Sequence, residues 1–167
     1  MEHHTKNKDD LGVLKAQVDL CSKGYLILTP LSDLSPFDLV AYKNGEFIRI
    51  QVKYRSVNSK GFLFVRFSSS YSTSKGCCEK PVDKKEVDLY CVYCPDTDKC
   101  YYFDPKKFKS TVNIRINKTL NNQSEKINFA EDYLMIPTVN RNSLVSIENE
   151  TQVSFCILRQ VFFCLLA

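Results

Sequence analysis

The sequence has no long apolar run. Its most apolar stretch, VSFCILRQVFFCLLA at 153–167, carries Arg159 and Gln160 inside it. It falls short of the roughly 20 predominantly apolar residues that a bilayer-spanning helix needs. A buried element, an oligomer contact or an appended segment fits it better, and no membrane partner is expected. The opening MEHHTKNKDD is polar and has no apolar core, so it does not read as a secretory signal and the expected compartment is intracellular, cytoplasmic or nucleoid-associated. Histidine is scarce: His3 and His4 are the two in the chain, and an adjacent pair without further ligands makes a poor metal site. Excess charge is small, +4 with a pI near 8.6, which permits an anionic partner such as nucleic acid without requiring one. No internal repeat is visible.

Cysteine is plentiful, with eight residues. In a reducing compartment disulfides are not expected. Cys91 and Cys94 have the spacing of a zinc knuckle, but VDLYCVYC reads as a strand. Residues three apart on a strand point to opposite faces and cannot easily grip one ion. The cysteines therefore read as small apolar residues.

A chain of 167 residues fits one domain with an ordinary core. Residues 1–8 are expected to form a flexible terminus, 9–137 the domain, and 138–167 a C-terminal extension of unknown role. DDLGVLKAQVDLCSKGY predicts a helix: Asp9 and Asp10 suit its positive N-terminal end, Leu11, Leu14, Val18 and Cys21 lie at helical spacing as its buried stripe, and Gly24 suits the position after its last turn. YLIL predicts a short strand and TPLSDLSP a loop. GFLFVRF at 61–67 is expected to add a third strand to the hairpin sheet described next. SSSYSTSKGCCEKPVDKK reads as a Ser- and Lys-rich loop that could touch phosphates. EVDLYCVYC and KCYYF flank the turn PDTD and form a second hairpin. DPKKF reads as one helical turn, TVNIRI as a strand, and INFAEDYLMIP as the segment that closes the domain.

The informative stretch is PFDLVAYKNGEFIRIQVKYR, residues 36–55. Asn44-Gly45 is a strong hairpin signal of the type I′ class. Pairing outward from it sets Lys43 opposite Glu46, Tyr42 opposite Phe47, Ala41 opposite Ile48 and Asp38 opposite Gln51. Opposed residues have Cβ atoms about 4.5–5.5 Å apart, and Lys53, two beyond Gln51, shares its face. Asp38, Gln51 and Lys53 thus cluster on one face, away from a core set of Phe37, Leu39, Ala41, Ile48, Ile50 and Val52. Two readings fit. The trio is a solvated face with a weak Asp38–Lys53 ion pair, or it is a site. A carboxylate, an amide oxygen and a backbone carbonyl are ligands that Mg²⁺ accepts, and an adjacent lysine stabilises phosphoryl charge.

SPFDLV followed by IQVKYR resembles the signature of the PD-(D/E)XK endonucleases: Pro-Asp, a hairpin, then acid-any-Lys. The resemblance is to their group I intron-associated homing endonuclease branch, and VDLYCVYCPDTDKCYYFDP and NIRINKTLNNQ are similar to that branch's later segments. It spans roughly 8–137. It implies an α+β (α/β) restriction-endonuclease-like fold, with a central mixed β-sheet, an N-terminal helix and flanking short helices. It implies a metal-dependent endonuclease that hydrolyses phosphodiester bonds of double-stranded DNA with Mg²⁺ (or Mn²⁺), and no small-molecule cofactor. Asp38, Gln51 and Lys53 correspond to catalytic positions. Asp38, Gln51 and the Val52 carbonyl correspond to metal ligands, with Asp10 as a candidate addition. Two departures stand out: Gln51 occupies an acid's place, and Val13 stands where many relatives place a helix Glu. Arg49, Arg55, Lys60, Arg66, Lys75, Lys80, Lys84 and Lys85 are candidate phosphate contacts. Cutting both strands of a duplex with one site per chain implies a homo-oligomer, a dimer or tetramer. A structure-specific, repair or restriction-type nuclease, and a decayed relative that only binds DNA, remain open as alternatives.

Overall fold

A computed structural model describes residues 4–32, 34–73, 76–81, 83–117 and 127–137. The C-terminal stretch 138–167, with its apolar end, lies outside these residues. The domain is α+β, with an N-terminal helix against a central mixed sheet of order β1-β2-β3-β7-β8. The first elements are α1 (His4–Ser22), β1 (Leu26–Leu28), β2 (Leu39–Lys43) and β3 (Glu46–Tyr54). They are followed by β4 (Phe62–Arg66), β5 (Ser68–Thr73), β6 (Gly76–Pro81), β7 (Leu89–Cys94), β8 (Lys99–Phe103) and β9 (Thr111–Arg115). Two 3₁₀ turns, Pro105–Lys107 and Ala130–Tyr133, flank the sheet.

Strands β2 and β3 are the predicted hairpin in the predicted register, with Lys43 opposite Glu46, Tyr42 opposite Phe47 and Ala41 opposite Ile48. Asn44 and Gly45 both have positive φ, 53° and 85°, as a type I′ turn demands. Strand β3 then pairs in parallel with β7, setting Gln51 beside Tyr90 and Lys53 beside Val92.

The sheet has a core on each face. Ala16 and Leu20 of α1 pack on Leu39, Ala41, Ile48, Ile50, Val52, Leu89, Cys91 and Tyr102. On the other face Tyr90, Val92, Cys94, Tyr101 and Phe103 pack with Leu63, Val65, Val112, Ile114 and Ala130. Cys91 and Cys94 thus belong to different cores, as strand alternation requires.

Several expectations are corrected. The helix begins at His4, five residues before the Asp9 start read from the sequence. Its buried side is not the Leu11, Leu14, Val18 and Cys21 stripe, all of which are exposed. Gly12, Ala16 and Leu20 face the sheet instead. Small residues let the backbones approach: a Cβ placed on Gly12 would stand 3.5 Å from Cβ of Tyr54. Phe62–Arg66 does not extend the central sheet but pairs with β9, because its apolar positions cap the second core. The Ser-rich segment predicted as a loop forms a two-stranded ribbon, β5 with β6, Ser68 opposite Pro81 and Thr73 opposite Gly76. Backbone pairing satisfies its peptide groups where side-chain periodicity gave no strand signal.

Candidate active site

The site lies at the start of β2, beside the second half of β3. Strand β2 begins at Leu39, yet the N–H of Asp38 still donates to the Ile50 carbonyl at 2.9 Å. This fixes the backbone of Asp38 at the end of the hairpin. Its Oδ2 accepts two hydrogen bonds, from Gln51 Nε2 at 2.5 Å and from the Val52 N–H at 2.6 Å. The juxtaposition of Asp38 and Gln51 expected from the turn is therefore present as a side-chain contact. Beyond the end of β2 the Val52 amide has no strand neighbour, and the carboxylate takes that place. The N–H and C=O of one strand residue point to the same side, so the Val52 carbonyl faces this opening as well.

Asp38, Gln51, Val52 and Lys53 line one cavity of about 330 Å³, with Ser35, Pro36, Arg55, Asp9 and Val13 completing the wall. Burial strains both charged groups. It pushes the Asp38 carboxyl up, against the opposing pull of the Val52 N–H, Lys53 and Gln51. It pushes the Lys53 ammonium down despite the attraction of Asp38, and Arg55 pushes the same way. The face that bears the trio is only partly open: its neighbour on β7 is Tyr90, buried in the second core. The expectation of a trio facing simply away from the core is corrected accordingly.

The remaining candidates are placed as follows. Arg55 lines the cavity and its Nη1 donates to the Tyr54 carbonyl at 2.8 Å. Arg49 is committed elsewhere: Nε and Nη2 bond the Asp88 carboxylate at 2.9 and 3.0 Å, and Nη2 also reaches the Lys85 carbonyl. Lys84 Nζ donates to the Phe108 carbonyl at 2.6 Å. Lys60, Arg66 and Lys85 are exposed, and Arg66 stands over the Phe64 ring. Lys75 and the side chain of Lys80 lie outside the described residues. Asp10 does not line the cavity. Asp9, which sequence reasoning took only as a helix-end charge, does. Its signal was in the sequence: Asp9 and Val13 are four apart and share a helix face.

The residues present suit a divalent cation. Both hydrogen bonds to Asp38 fall on Oδ2, and neither occupies Oδ1. Gln51 donates through its nitrogen, which keeps its amide oxygen as an acceptor. Among the described residues no group of three or more His, Cys, Asp or Glu side chains is assembled to hold a metal, so an ion here would be held by a mixed set of oxygens.

A mixed sheet behind an N-terminal helix, with a hairpin leading into a parallel strand, is an architecture that other proteins share. The family model for the PD-(D/E)XK endonucleases matches residues 3–136. The chain belongs to that family. Its fold is also that of a bacterial homing endonuclease, I-Ssp6803I, whose solved structure aligns with a TM-score of 0.61 at 20% identity, covering 78% of this chain and 88% of that one. No curated protein sequence matches. Among the described residues no helix is long and apolar enough to cross a membrane.

Proposed function

We propose that this PD-(D/E)XK protein is a Mg²⁺-dependent endonuclease of double-stranded DNA, of the intron-associated homing type. The observation that carries the reading is the convergence of Asp38, Gln51, Val52 and Lys53 on one polar cavity. Asp38 Oδ1, the Gln51 amide oxygen and the Val52 carbonyl would hold the ion. When bound, it would supply positive charge at the scissile phosphate and lower the pKa of water.

The chain's own groups account for the rest. Lys53 is held in a partly buried setting that favours its neutral form, so an anionic phosphate beside it would gain both a partner and relief of that cost. Lys53 orients the attacking water. Its oxygen forms a new bond to phosphorus in line with the bond to O3′, which breaks. The water's proton passes to solvent and O3′ takes one up, leaving 5′-phosphate and 3′-hydroxyl ends. Arg55, at the cavity wall, anchors a neighbouring phosphate. Two or more chains would act together, since one site cuts one strand.

The test is cleavage of supercoiled plasmid and of a random-sequence linear duplex by the full chain with Mg²⁺ or Mn²⁺. Wild type should nick or linearise, chelation should stop it, and Asp38→Asn and Lys53→Met should be inactive while still shifting DNA in a gel. A wild type that binds duplex but cuts none would replace this reading with a DNA-binding relative. Cleavage confined to branched DNA would replace homing with a structure-specific role.

A further inference from the structure

The charge in the cavity poses a problem for a dication. Of the hairpin's contributions, Gln51 is neutral, Val52 gives only backbone, and the Asp38 carboxylate is offset by Lys53. Affinity for hard cations rises with the number of anionic ligands, and with Lys53 and Arg55 both lining the cavity the Asp38 carboxylate is outnumbered on the hairpin side. Electrostatics calls for one more carboxylate.

The cavity contains one. Asp9, on α1, lines it opposite the hairpin, and Val13, the next residue on that helix face, lines it too. Gly12, on the same turn as Val13, brings the helix close against Tyr54 of β3, so this wall is set by close backbone packing. Asp10, the neighbouring acid, is turned out of the cavity.

We infer that Asp9 is the second carboxylate of the ion site, supplying from the helix the negative charge that Gln51 does not supply from the strand. The assignment rests on the proposed metal-dependent function, and Asp9 would act directly on the ion or through an intervening water. Its helix position is what makes it distinctive. The acid sits one turn before Val13, so the charge can be moved along a single face and followed.

The experiment measures Mn²⁺ binding to the full chain by titration calorimetry and by the loss of the free-ion paramagnetic resonance signal, without substrate. Asp9→Asn should weaken binding about 10-fold or more, Asp10→Asn should leave it unchanged, and Asp38→Asn should lose it. Asp9→Asn combined with Val13→Glu should recover affinity to within about 3-fold of wild type, because a longer acid one turn on reaches the same cavity. Should Val13→Glu disturb the helix packing, Asp9→Asn with Gln51→Glu tests the same charge from the strand side. Asp9→Asn binding Mn²⁺ like wild type, while Asp38→Asn does not, overturns the assignment and leaves the metal reading intact. Wild type with no Mn²⁺ affinity overturns both.

Discussion

Arg49 and Lys53 on one face of β3 each meet an acid from outside the strand, and the two pairs behave in opposite ways. At Arg49 the guanidinium fork grips Asp88 with two contacts, and the same carboxylate takes the Arg49 N–H at 3.0 Å. Asp88 is 4% exposed, and the hydrogen bond to it holds the Arg49 pKa above its ordinary value. Four residues on, Lys53 and Asp38 share a cavity, yet burial moves both pKa values toward the neutral forms. In the first pair the charges satisfy each other and the pair is structural. In the second they do not, and under the proposed function that deficit is what a phosphate and a cation would fill. Two pairs of like composition along one strand thus divide into a fastener and a candidate site, according to whether the bonding is closed.

Substitutions can break that contrast. The largest effect belongs to Asp38→Asn, which keeps an acceptor for Val52 but removes the charge. Cleavage should fall about 10³-fold, measured under single-turnover conditions, with the melting temperature little changed. Arg49→Leu should do the reverse. It takes the guanidinium away from a buried Asp88 and should cost about 2–3 kcal/mol by urea unfolding, while the folded fraction still cuts. Lys53→Met comes next and inverts the sign on stability. A group with a lowered folded pKa contributes stability above its unfolded pKa of 10.5 and loses it as pH falls through the folded value. At pH 7 the ammonium is therefore a burden on the fold. The metal-free Lys53→Met chain should melt higher below pH 10.5, by no more than about 2–4 °C because Asp38 loses the attraction of Lys53, and it should not cut. The smallest effect is at Tyr90, beside Gln51, whose hydroxyl is the buried side-chain polar atom without a partner among the described residues. Tyr90→Phe should be stabilising by about 1 kcal/mol or less in the same unfolding assay.

Much of the hairpin was legible because turn chemistry fixes register and register fixes faces. Asn44-Gly45 determined that Asp38 meets Gln51, and the side-chain bond between them bears this out. The helix was legible as an element but not in its rotation. Apolar spacing favoured Leu11, Leu14 and Val18, whereas the sheet selected Gly12 and Ala16 for close approach, a preference set by partner shape rather than by hydrophobicity. That same rotation hid Asp9. The separate sheet of β4 and β9 was hidden because alternating apolar residues announce a strand without naming its neighbour. Arg49 looked like a free phosphate contact because Asp88, distant in sequence, gave no sign that it would fold beside it.

The parallel pairing of β3 with β7 has a consequence for how the molecule assembles. The β2–β3 hairpin closes through a two-residue turn, an event of about 1–10 μs, whereas β7 reaches β3 only after the whole intervening crossover has been laid down, a slow non-local step. Asp38 and Gln51 can therefore meet early, but the helix wall with Asp9 and the Tyr90 flank arrive with the late contacts. A partly folded chain that forms the hairpin still lacks the rest of the cavity wall, so under the proposed function cleavage of DNA would wait until folding is complete.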